Sequence, residues 1–156
     1  MLRAGVLTIS DTRTEETDRG GHMVKDRLTK AGHQVEHYSI VKDETDTIQA
    51  EMDWLTKQSH FDLIITTGGT GIARRDVTLE AVEPFYEKTI DGFGELFRYM
   101  SYEYDVGTKA MLSRASAGTC GEKVIFALPG SVKAVELAMD RLIIPEASHL
   151  HHELTK

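Results

Sequence analysis

The chain has 156 residues, the size of one domain. Its 18 basic and 25 acidic residues leave a net charge of −7, which argues against the broad basic face of a general nucleic-acid binder. With 40% hydrophobic and 28% charged residues the composition is that of a globular protein, and apolar runs such as "VIFAL" are far too short to cross a bilayer.

The N-terminal "MLRAGVLTIS" lacks the long apolar core and small-residue cleavage site of a signal peptide. The single Cys120 allows no internal disulfide. Both features lead us to expect a cytoplasmic protein with no nucleic-acid or membrane partner. There is no internal repeat, low-complexity segment or linker, so residues 1–156 are expected to form one domain.

"GVLTIS" is a short apolar run rich in β-branched residues and predicts a buried strand. In "GGHMVKDRLTKAG", Met23, Val24, Leu28 and Ala31 recur at helical spacing, and Gly32 is placed to end that helix. "QVEHYSIV" predicts a second strand. "DTIQAEMDWLTKQS" predicts a second helix with Asp46 as N-cap and Ile48, Met52 and Leu55 on one face. "FDLIITT" has the continuous apolar character of a strand covered on both faces.

A short helix is expected at "VTLEAVEPF". Phe93, Phe97, Met100 and Tyr104 then mark an aromatic helix. "SRASAGTCG" and "KVIFALPG" predict two more strands, and a last helix begins at Ser131 and is interrupted near Pro145. Alternating strands and helices predict an α/β fold: a three-layer sandwich with a mainly parallel central sheet and helices on both faces. Ligands bind such sheets beyond the carboxyl ends of the strands. Asp11, Asp43 and Asp76 follow the first three strands and would share that rim.

"TTGGTGIARRDVT" (66–78) is the densest candidate motif. No Gly-Lys-Ser or Gly-Lys-Thr closes it, so it is no Walker loop, and Arg74 stands where a dinucleotide fingerprint needs its last glycine. Its glycines suit either close backbone approach to an oxyanion or a tight strand-to-helix turn. "ALPGSVKAVELAM" runs from a strand into a helix capped by Ser131, with Lys133 unfavourably placed for the helix dipole unless an anion lies nearby. In "SDTRTEETDRGG", Ser10 and Asp11 sit at a strand end, while most of Arg13 to Asp18 is expected to be a solvated loop.

His149, His152 and Glu153 have helical metal-ligand spacing without the rest of a ligand set, and Cys120 lies in an apolar neighbourhood. The aromatic helix, with Tyr99, Tyr102 and Phe85, is either core or a subunit interface.

Taken in order, "GVLTISDT", "TTGGTGIARRDVT", "GFGELFR", "LSRASAG" and "ALPGSVKAVELAM" resemble the MoaB/MogA family of molybdenum cofactor biosynthesis proteins, of the molybdopterin adenylyltransferase type, over nearly the whole chain. The resemblance implies a parallel-rich α/β fold assembled as trimers or hexamers. It implies transfer of AMP from ATP to the terminal phosphate of molybdopterin, with magnesium (Mg2+) required, pyrophosphate released, and other molybdenum cofactor pathway proteins as further partners.

Carried over by position, the family's essential aspartates fall on Asp43 and Asp76, expected to handle metal and nucleotide. Gly68, Gly69, Thr70 and Gly71 match the nucleotide and molybdopterin loop, and Ser10 and Asp11 the first-strand motif. Ser113, Arg114, Pro129, Gly130, Ser131 and Lys133 match segments expected near molybdopterin, while Glu95 matches a recurrent glutamate of unassigned role. Val132 stands where many members carry proline, and some branches are thought to bind without catalysing. A catalytically silent molybdopterin-binding or scaffold protein is therefore the alternative. A related domain of pyridine-nucleotide-processing proteins shares the glycine loop but usually sits beside a second catalytic domain.

Overall fold

A computed structural model describes residues Met1–Lys156. Six strands form one sheet: β1 (Arg3–Ile9), β2 (Gln34–Val41), β3 (Leu63–Thr67), β4 (Lys88–Thr89), β5 (Ser116–Cys120) and β6 (Lys123–Leu128). Their spatial order is β2-β1-β3-β6-β5-β4. The β1–β2, β1–β3 and β3–β6 pairs are parallel, and β5 and β4 close one edge antiparallel. The helices are α1 (Arg19–Lys30), α2 (Thr45–Lys57), α3 (Thr78–Val82), α4 (Asp91–Ser101), α5 (Val132–Ala138) and α6 (Ile144–Thr155). The mainly parallel sheet with helices on both faces is the one expected from the sequence.

Strand alternation divides the apolar side chains between two cores. On one face Ala4, Val6, Leu63, Ile65, Val124 and Phe126 pack with Val24 and Leu28 of α1, Phe93 and Phe97 of α4, and Val135 and Ala138 of α5. On the other, Leu7, Ile9, Ile64 and Ile125 pack with Ile48, Met52 and Leu55 of α2 and Ala81 and Val82 of α3. The three α2 side chains are fully buried, and burial of each contributes about 1.5–3 kcal/mol.

Several local expectations change. Helix α2 is capped by Glu44, which makes no side-chain cap hydrogen bond, and Asp46 lies inside its first turn. An acid at either place suits the positive helix end, so the sequence does not discriminate between them. The strand at "SRASAGTCG" begins only at Ser116. Ser113 and Arg114 therefore belong to the preceding turn. The aromatic helix ends at Ser101 and continues as a wide π turn, Tyr102–Val106. Phe93 and Phe97 are core, whereas Tyr99, Tyr102 and Tyr104 are more than half exposed.

The last helix is interrupted as expected. A π turn at Met139–Ile143 separates α5 from α6, where Pro145 occupies the first turn and lacks the N–H that an unbroken helix would use. No helix is long and apolar enough to cross a membrane.

Candidate active site at the sheet switch point

The chain leaves β1 toward α1 on one face of the sheet and leaves β3 toward α3 on the other. Because β1 and β3 are neighbours, their outgoing loops diverge and open a crevice beyond their carboxyl ends, the place where such sheets bind ligands. A cavity of about 430 Å³ lies there. Thr8, Ile9, Ser10, Asp11, Thr12 and Arg13 line it from the β1 end, Asp43 from the β2 end, and Thr67, Gly68, Gly69, Arg75 and Asp76 from the β3 end. Asp18, Gly130 and Ser131 complete the wall.

The glycine turn shapes one side of the crevice. Gly68 has φ +99°, and a Cβ there would overlap the Ile9 carbonyl oxygen. Its N–H donates to the Leu128 carbonyl at 2.8 Å, and its own carbonyl accepts the Thr78 hydroxyl at 2.7 Å. Gly69 has φ +71°, and a Cβ on it would stand 3.2 Å from Asp43 Oδ1. Glycine is thus needed here both for backbone conformation and to let the β3 loop approach a carboxylate. The positive φ angles bear out the tight strand-to-helix turn expected from the sequence, and the close contacts are with the protein's own Ile9, Thr78 and Asp43 atoms.

Residues 71–76 are fixed from within. Asp76 Oδ2 accepts the Ala73 N–H at 3.0 Å. Arg114 donates to the Gly71 and Asp76 carbonyls, both at 2.9 Å, and grips the Glu80 carboxylate with two nitrogens. Its backbone N–H donates to the Thr70 carbonyl at 2.9 Å. Such a bidentate fork is a strong and directional tether.

The carboxylates crowd one another. Asp11 Oδ1 accepts the Asp43 N–H at 3.0 Å, which binds the β1 loop to the β2 loop. Burial, followed by the charges of Asp11 and Asp76, holds the Asp43 carboxyl above its ordinary value, against a smaller opposing pull from the Asp11 amide and Arg75. No three His, Cys, Asp or Glu side chains gather as a ready metal cage. The donor set is two or three carboxylates in an open polar cleft. That suits magnesium, which commonly takes one or two carboxylates together with ligand phosphates and water.

Asp18 behaves differently. It is buried, caps α1 by accepting the Gly21 N–H at 3.0 Å, and accepts the hydroxyls of Thr8 and Tyr38, both at 2.6 Å. Burial and Asp18 raise the Tyr38 phenol well above its ordinary value, which keeps it a donor. The solvated loop expected over most of Arg13 to Asp18 therefore stops short of its last residue. The Asp-x-x-Gly spacing before α1 was the available signal.

Among the residues singled out from the sequence, Ser10, Asp11, Asp43, Gly68, Gly69, Asp76, Gly130 and Ser131 come together in the cleft. Thr70 is buried behind it, and Gly71 lies over the Asp76 carboxylate. Pro129 and Lys133 do not line it. Lys133 is exposed and points at Glu136, 3.5 Å away. Ser113 and Arg114 line a separate cavity of about 330 Å³ with Glu83, Asp91 and Arg98. Glu95 is exposed on α4, and His149 pairs with Glu146 at 3.1 Å. Thr8, Thr67, Asp18, Arg13 and Arg75 also line the cleft, though nothing in their sequence pattern singles them out as site residues.

Comparison with known proteins places the chain in a family. Residues 5–149 match the model of the probable molybdopterin binding domain. The molybdenum cofactor biosynthesis protein B of Staphylococcus carnosus is 58% identical, over 99% of this chain and 92% of that protein. A crystal structure of a molybdenum cofactor biosynthesis protein B superposes with a TM-score of 0.95 at 52% identity, covering 98% of this chain and 95% of that one. The tungsten cofactor synthesizing protein MoaB from Pyrococcus furiosus superposes with a TM-score of 0.87 at 36% identity, covering 99% and 98%. With its fold and nearly its whole length in common with them, the chain belongs to the MoaB/MogA family of molybdopterin-binding-domain proteins.

Proposed function

We propose that this protein acts in cytoplasmic molybdenum cofactor biosynthesis as a magnesium-dependent molybdopterin adenylyltransferase. The observation that carries the reading is the meeting of Asp43 and Asp76, from different loops, in one polar cleft beside a glycine turn. The terminal phosphate of molybdopterin attacks the α-phosphorus of ATP. A new P–O bond forms, the bond to the β-phosphate breaks, and pyrophosphate leaves. The nucleophile is already an anion, so no strong base is required, and the barrier is dominated by negative charge meeting negative charge.

Asp43 and Asp76 would hold magnesium. When bound, that ion supplies charge neutralisation and polarisation at the phosphates. The chain's own part is to hold the two carboxylates in one cleft beside the Gly68–Gly69 turn, whose Gly68 N–H is committed to the Leu128 carbonyl. Support from relatives is their naming for molybdenum and tungsten cofactor synthesis.

The assembly is proposed to be a trimer or hexamer. Leu96, Tyr99, Tyr102, Tyr104, Val106, Met111 and Leu112 leave a large apolar surface on α4 and the turns after it. Sedimentation velocity reads this directly, and a monomer at working concentration contradicts it.

With ATP, magnesium and molybdopterin, the parent protein should release pyrophosphate, and Asp76→Asn should cut turnover by about 100-fold or more while molybdopterin affinity stays near the parent's. Near-normal turnover of the variant refutes the metal role of Asp76. No turnover by the parent with retained pterin binding would instead support the silent-binder alternative.

The raised Asp43 carboxyl makes a second prediction. A carboxyl whose folded value lies above its unfolded one favours the folded state fully only when protonated, and that contribution is lost as pH rises through the folded value. Metal-free Asp43→Asn should therefore melt higher than the parent at pH 7, and the difference should vanish as pH falls below the ordinary carboxylate range. Equal melting at pH 7 would show that the crowding is relieved without a cation.

A further inference from the structure

Arg3, Arg27 and Arg114 are paired with carboxylates, and Arg98 donates to the Ser113 and Ala115 carbonyls. Arg13 and Arg75 line the cleft with four aspartates. Even so, neither forms an ion pair within 4.0 Å: Arg13 gives one nitrogen to the Thr17 carbonyl at 3.3 Å, and Arg75 only feels Asp43 at longer range. Arg19, Arg74 and Arg141 also form no ion pair, Arg141 lying over the Tyr104 ring, but of the unpaired arginines only Arg13 and Arg75 line the cleft.

The backbone beneath each is fixed. Ser10 Oγ accepts the N–H groups of Thr12 and Arg13 at 3.2 and 3.1 Å, which anchors Arg13 to the end of β1. The Ala73–Asp76 hydrogen bonds and the Arg114 fork anchor the loop carrying Arg75 to the end of β3. One arginine thus rises from each of the two loops that border the crevice.

We propose that Arg13 and Arg75 form a two-sided clamp for the polyphosphate chain of a nucleoside triphosphate. The inference rests on the adenylyl-transfer reading only for the nucleotide. Its physical content is recognition of adjacent phosphates by two planar forks, for which guanidinium is better suited than ammonium. The acids alone would repel such a chain, so the arginines supply the attraction that the aspartates cannot.

The test is calorimetric titration of the full chain with magnesium tripolyphosphate, ATP and AMP. Arg13→Gln and Arg75→Gln should each weaken tripolyphosphate and ATP by about ten- to hundredfold, with a much smaller effect on AMP. Arg75→Lys should recover part of the loss. Arg74→Gln, next door on the same loop but outside the cleft, should bind as the parent does.

Tripolyphosphate binding that is absent in the parent, or unchanged in both glutamine variants, overturns the clamp. Equal losses for AMP and ATP overturn it too, since they indicate general damage to the loops. Should the parent bind tripolyphosphate through these arginines yet release no pyrophosphate from ATP and molybdopterin, the clamp stands and the adenylyl-transfer reading falls.

Discussion

Mutual repulsion among carboxylates at the β1–β3 switch point is the constraint around which the rest of the structure is arranged. Asp11, Asp43 and Asp76 would drift apart if their loops were free. The loops are held by backbone donors and one cation: the Asp43 N–H on Asp11, the Ala73 N–H on Asp76, and the Arg114 fork across Gly71, Asp76 and Glu80. The glycine turn removes the side chains that would otherwise separate β3's loop from Asp43. Burial first, and then the neighbouring Asp11 and Asp76 charges, raise the Asp43 carboxyl above its ordinary value.

Two kinds of acid share the cleft. Asp18 is saturated by the Gly21 amide and the Thr8 and Tyr38 hydroxyls, and its charge is absorbed by the positive end of α1. The Asp43 carboxylate faces the cavity with far less support. The same residue type therefore stands in one cleft both as a satisfied helix cap and as a carboxylate with few partners. The two unpaired arginines of the cleft extend the division: Arg114 spends its donors on the loop, whereas Arg13 and Arg75 keep most of theirs.

The large elements were legible because burial is periodic. "GVLTIS" and "FDLIITT" could only be buried strands, and Ile48, Met52 and Leu55 could only face a core. The two-residue β4 was not legible, since Lys88 and Thr89 carry no alternation and join the sheet only through Gly118 and Thr119. The end of α4 at Ser101 was hidden because Tyr104 continues the aromatic spacing through a π turn. In the site, Asp43 and Asp76 stood out as acids after strand ends. Arg13 and Arg75 did not, because what marks them is their position on the cleft wall, which is a property of the folded chain. Asp18 looked like one more loop charge until Tyr38, from another strand, was brought to it.

The most direct measurement is a crystal structure of the protein soaked with manganese, an anomalous stand-in for magnesium, and a non-hydrolysable ATP analogue. The account predicts one anomalous peak within bonding distance of both Asp43 and Asp76, touching the analogue's phosphates in the crevice beside Gly68 and Gly69. A metal and phosphate chain seated elsewhere, with those two carboxylates bare, would contradict it.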